Sequence, residues 1–216
     1  MNIAAADASR QPGLQGADID GCGGLAVHEH DVQEPAATGS VVATATLAGV
    51  RLAVGDVVVY AAHGVGRVVA REKRVVLGGV QDILVLELAD GLSVTLPVER
   101  ARELLRPLLS EADLRRVQET LREDHTLSED VWPKRRKDTQ VKVAGGDPLG
   151  LAEVVRDCAR REQRLIAKRT GSHLSPSERD LYSRARRLLS GEIGVASGLE
   201  PVEADAWIEE QLAAKA

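Results

Sequence analysis

The spacing of apolar residues changes once along this chain, near Ser110, and that change constrains the architecture more than any other feature. Upstream, VGDVVVYA, GVGRVVARE, QDILVLELAD and GLSVTLP are short β-branched runs separated by the turns HGVG, LGG and DG. Leu84, Leu86 and Leu88 alternate with polar residues, as do Leu92, Val94 and Leu96. A period of two places alternate side chains on one face of a strand. Four antiparallel strands follow, with a short fifth near 103–106, and Pro97 ends the fourth. So many short strands in so little chain suggest a small SH3-like or Tudor-like antiparallel barrel.

Downstream the period is helical. Ser110 is an N-cap with Asp113 at N3, and Leu114, Val117 and Leu121 form one stripe. A polar connector over 123–131 leads to Trp132. Asp147 and Pro148 then open a long helix, which Gly171 stops, with Leu151, Val154, Val155 and Cys158 on its buried face. Ser175-Pro176-Ser177-Glu178 reads as a capping box, followed by Leu181, Ala185, Leu188 and Leu189 on one face. A last helix runs from about Pro201 to Leu212, and Trp207 packs within the bundle. The fold class is therefore α+β in two domains: a small β-barrel, then an all-α bundle of four or five helices. Residues 1–50 lack periodicity and read as a mostly disordered acidic extension. The barrel is assigned to 51–108 and the helical domain to 109–216.

Charge is unevenly spread. Residues 1–50 carry Arg10 against six acids, whereas 133–190 hold 15 Lys/Arg against seven Asp/Glu. A cationic second half is the footprint expected for phosphate contact, which the acidic whole-chain balance of −5 conceals. Aromatic residues are scarce, so Val, Leu, Ile and Ala must build the core. No window approaches the length of an apolar membrane span, and no secretory leader pattern is visible. Cys22 and Cys158 sit far apart in dissimilar contexts, which fits a reduced cytoplasmic protein better than a disulfide framework.

Chemistry of an enzymatic kind finds no support. HGVG lacks the Lys-Ser/Thr of a phosphate-binding loop, and no G-x-S-x-G, H-E-x-x-H or Cys-x-x-Cys occurs. His63 reads as a turn residue and Cys158 as a small core residue. Cys22, His28 and His30 are three metal-ligand types without a fourth, so neither a metal nor another cofactor is expected. The cluster Lys134-Arg135-Arg136-Lys137 is more informative. A run of cations is commonly a solvated helix face. This one is not interleaved with acids, and Arg156, Arg160, Arg161, Arg164, Lys168, Arg184, Arg186 and Arg187 follow it. Such clusters bind phosphates independently of sequence. Trp132 stands at its head, and two readings remain open for it: a core anchor, or an aromatic presented to opened bases.

The order VGDVVVYAAHGVGRVV, ILVLEL, DGLSVTLPVE, W-x-x-R-R and LAEVVRDCARRE resembles the CarD/CdnL family of bacterial transcription regulators, over about residues 51–216. The resemblance implies a Tudor-like domain that binds the RNA polymerase β subunit at its protrusion (β1 lobe) by strand-edge pairing. It also implies a helical domain at the upstream edge of the transcription bubble in promoter DNA. Trp132 matches the family's minor-groove wedge, and Lys134, Arg135, Arg136 and Lys137 match the basic residues after it. Arg160 and Arg161 of the basic cluster are expected to join them as DNA contacts. Arg74 matches a polymerase-contacting arginine, and Val76 lies near the same edge. Thr95 falls where one branch carries a second arginine, and Lys73 or Arg71 is the candidate substitute. Pro133 replaces the usual Ser or Asn, and Arg136 stands where the family has an aromatic. A non-enzymatic monomer is expected, held to the nucleoid through polymerase. The alternative is a protein-interaction adaptor that does not touch DNA.

Overall fold

The computed structural model describes residues 45–47, 50–61, 63–76, 78–168 and 173–214. Cys22, His28 and His30, and most of the expected N-terminal extension, lie outside them. Within that extension Ala45–Leu47 (β1) is a strand, paired antiparallel with β2 (Val50–Leu52).

A five-stranded antiparallel sheet follows, built from β3 (Val57–Tyr60), β4 (Gly64–Val76), β5 (Gly79–Leu88), β6 (Ser93–Pro97) and β7 (Leu105–Pro107). The strands lie in the order β6, β5, β4, β3, β7. The alternating leucines of β5 are all buried, because the period-two pattern puts them on one face. Leu84 and Leu86 pack with Leu52, Val58, Val68, Leu96, Val98, Ala101 and Leu105. Leu92 departs from the expectation. It precedes β6, is half exposed, and sits in the turn where Asp90 accepts from its amide.

A seven-residue helix, α1 (Val98–Leu104), connects β6 to β7 and was not anticipated. Its N-cap is Pro97, which supplies no side-chain cap, and only Val98 and Ala101 are buried. Two turns are too short for periodicity to reveal them. The fifth strand consequently starts at Leu105, slightly later than expected.

Among the described residues five helices follow: α2 (Glu111–Arg122), α3 (Trp132–Gly145), α4 (Pro148–Ala167), α5 (Pro176–Ser197) and α6 (Pro201–Ala213). Their starts follow the cap signals. Ser110 and Asp113 form a reciprocal capping box, and Asp147 accepts from the Gly150 amide. Helix α4 ends at Ala167, before Gly171, which lies outside the described residues. The expected box at Ser175 is only half formed. Its hydroxyl accepts from the Glu178 amide, but the Glu178 side chain turns inward to arginines. Leu121, Leu151, Val155, Leu189, Ile193 and Ile208 centre the helical core, and Trp207 packs partly buried against it. Among the described residues no helix is long and apolar enough to cross a membrane.

The sheet and the helices touch. Gly64 of β4 lies so near α5 that a Cβ there would meet Leu188 at 3.3 Å. Gly146, the left-handed C-cap of α3, lies against the backbone of Ala61.

Candidate nucleic-acid interface

Helix α3 has an inward side bearing Trp132, Arg135, Thr139, Lys142 and Val143, and an outward side bearing Lys134, Arg136, Lys137 and Gln140. The spacing of three, four and seven on the inward side is that of one helix face. Val143 alone is fully buried, so this helix is attached to the bundle largely through polar contacts.

Trp132 opens the helix, after the exposed N-cap Val131 and before Pro133 in the first turn. It is half-buried and belongs to neither apolar core. Its indole Nε1–H donates to Ser177 Oγ at 2.7 Å. The Arg135 guanidinium lies over its ring, 5.4 Å from the centroid. A cation placed so is attracted to the ring face. The core-anchor reading of Trp132 therefore has no support in its surroundings.

The cations divide into two groups. Arg135 ion-pairs with the buried Glu178 at 2.8 Å and donates its Nε–H to Asp130 O at 2.9 Å. Arg161 approaches Glu178 at 3.8 Å and donates to Ser128 O at 2.8 Å. Arg160 donates to Arg122 O and pairs with exposed Asp124. Arg156 is buried, joined to Glu123 and Asp157. Arg186 bridges α5 to Asp205 and Glu209 of α6. These guanidiniums hold the bundle together. Lys134 is exposed and loosely paired with Asp130 at 3.3 Å. Arg136 and Lys137 are exposed with no partner among the described residues. An exposed, unpaired cation meets a phosphate without first giving up an internal partner.

On the sheet, Arg74 pairs across to Gln81 and Thr95 across to Val85. Both lie on the face opposite the buried leucines, one on each side of β5. Arg74 is exposed, with Glu72 at 2.5 Å. Val76 closes β4 opposite Gly79. Beyond the bulge at Val69, β4 pairs only with β5 among the described strands, and β6 likewise. The cross-strand pair Val75 and Val80 is largely exposed at the hairpin tip. Of the two suggested substitutes for a second arginine, Arg71 is tied to Asp82 at 3.0 Å, whereas Lys73 is exposed.

His63 is an exposed turn residue stacked on Tyr60 at 4.7 Å between centroids. Cys158 is buried, and burial pushes its thiol up to about 12. Among the described residues no His, Cys, Asp and Glu side chains cluster as metal ligands. Sequence reasoning missed Ser177 and Glu178 as the partners of Trp132 and Arg135. They lie more than forty residues away, and Glu178 already had a local capping explanation.

Two family models match the chain. One, the CarD-like/TRCF RID domain, spans residues 52–109, which is the sheet with α1. The other, the CarD C-terminal domain, spans 116–209, which is the helical part from α2 to α6. Their order and extent leave only the N-terminal segment, a short joint and the C-terminal end unmatched. The chain belongs to the CarD-like family of transcription-associated proteins that interact with RNA polymerase.

Proposed function

We propose that this protein docks on the RNA polymerase β subunit, at the protrusion (β1 lobe), and stabilises the promoter open complex. The barrel, 51–108, supplies the docking surface, with Arg74, Val76 and Thr95 on or beside the open strands. The helical domain, 109–216, faces the upstream edge of the bubble and places Trp132 in the minor groove there. The observation that carries this reading is the setting of Trp132. It is outside both cores, at a helix start, oriented by one hydrogen bond and followed by exposed cations.

A wedge that binds only the open state shifts the opening equilibrium by its differential affinity. Stacking worth about 1–3 kcal/mol would lengthen open-complex lifetime about 5- to 150-fold. Arg136 and Lys137, with Lys134, supply phosphate contacts that need not read base identity. Arg135, Arg160 and Arg161 act on DNA chiefly by shaping the surface, because their guanidiniums already serve internal partners.

The test is the half-life of promoter open complexes after a competitor trap. Wild type lengthens it, and Trp132→Ala loses that gain while still binding polymerase. An unchanged half-life with the variant removes the wedge. The internal pairing of Arg135, Arg160 and Arg161 favours a second reading, an adaptor whose helices bind another protein. Salt separates the two. Each phosphate contact contributes about −0.9 to the slope of log K against log salt. Replacing Arg136 and Lys137 by alanine should flatten that slope by about 2, whereas an adaptor shows no change.

A further inference from the structure

We propose that Arg106 and Glu192 are positioning residues that fix Trp132 relative to the barrel, with helices α3 and α5 as a paired strut. The inference rests on the function proposed above and concerns what sets the distance between polymerase contact and wedge.

Arg106 lies on β7, the edge strand of the sheet. Its two terminal nitrogens meet the two oxygens of Glu192 on α5, Nη2 to Oε2 at 2.6 Å. The same Nη2 donates to Gly146 O at 2.7 Å, at the C-terminal end of α3. The Leu109 amide, on the segment joining the two cores, donates to Glu192 Oε1 at 3.1 Å. The Glu192 side chain is 1% exposed. One carboxylate thus gathers the sheet edge, the joint and α5, and its arginine adds the end of α3. A bidentate guanidinium–carboxylate pair constrains orientation as well as distance.

Steric contact reinforces the junction. Gly146 has φ +61°, and a Cβ there would lie 2.3 Å from Ala61 O. No other residue type lets α3 end this close to the turn between β3 and β4.

The far ends of the same two helices hold the tryptophan. Trp132 begins α3, and Ser177 and Glu178 in the first turn of α5 hold its indole and Arg135. Helices α3 and α5 therefore run parallel, joined at both ends. From Trp132 to Gly146, and from Ser177 to Glu192, each spans about 20 Å at the rise of an α-helix. A helix pair fixed at both ends transmits position where a flexible tether would not. Arg106 and Glu192 touch neither DNA nor polymerase in this scheme.

The test uses the full chain with Arg106→Lys and Glu192→Gln. The first keeps the charge but cannot span both carboxylate oxygens and the Gly146 carbonyl. Three quantities are measured at a temperature where each variant is folded by circular dichroism: polymerase affinity, open-complex half-life, and the distance distribution between spin labels. The labels sit at Glu87→Cys and Gln140→Cys in a Cys22→Ser background, and both positions are exposed. The expected result is wild-type polymerase affinity, a broadened distance distribution, and at least fivefold loss of the lifetime gain. A folded variant with wild-type lifetime overturns the proposal. So does a lost lifetime with an unbroadened distribution. If Glu192→Gln does not fold, Arg106→Lys decides alone. If wild type itself gives no gain, the proposed function fails, while the distance distributions still judge the strut.

Discussion

Glu178 meets Arg135 at 2.8 Å and Arg161 at 3.8 Å from a side chain that is 5% exposed. Its charge is needed there, because two guanidiniums lie beside it in a poorly solvated place. Glu178→Gln leaves them uncompensated, and breaking a buried pair costs about 3–5 kcal/mol. Urea denaturation should report a loss of that order, and a loss below about 1 kcal/mol would mean that water already screens the pair. The four cations after Trp132 look alike in sequence but differ in kind. The helical period assigns Arg135 to the inner face and Lys134, Arg136 and Lys137 to the outer one. What periodicity could not supply was the inner partner, since Glu178 is brought in by the packing of α5 on α3.

At the scale of elements, the sheet was legible because its leucines alternate without interruption and its turns carry glycine. The helix starts were legible because Ser110, Asp147 and Ser175 are side-chain acceptors placed before apolar stripes. Helix α1 was not, since it has neither a capping side chain nor enough turns to show a face. Asp113 gives the capping box a pH signature. Its carboxylate accepts from the Ser110 hydroxyl and from the Ser110 amide, which holds its pKa below the usual 3.8. The folded value is depressed, so the stabilisation is complete above the unfolded pKa and is lost as pH falls through the folded one. Wild type should therefore exceed Asp113→Asn in stability at neutral pH. The gap should shrink in acid below about pH 4. Paired denaturation curves across that range check it, and a constant gap would show that the carboxylate does not gain from the cap.

For the whole molecule, the Arg106–Glu192 junction and the close approach at Gly146 make sheet and helices interdependent. Unfolding should then be a single transition. Tryptophan fluorescence reports only on the helical part, which holds Trp132 and Trp207. Amide exchange at Val58, Leu84 and Leu86 reports on the sheet. Their urea midpoints should coincide, and two separated midpoints would mean that the junction contributes little. The helix pair also has a consequence for affinity. A wedge carried on a stiff arm from a docked barrel samples a small volume, so its effective concentration at the fork is high even when free protein is scarce. Under the proposed function, Trp132 would then need little intrinsic attraction for DNA. Weak binding to a bare promoter fragment is what such an arm permits, because the second contact is intramolecular once the first is made.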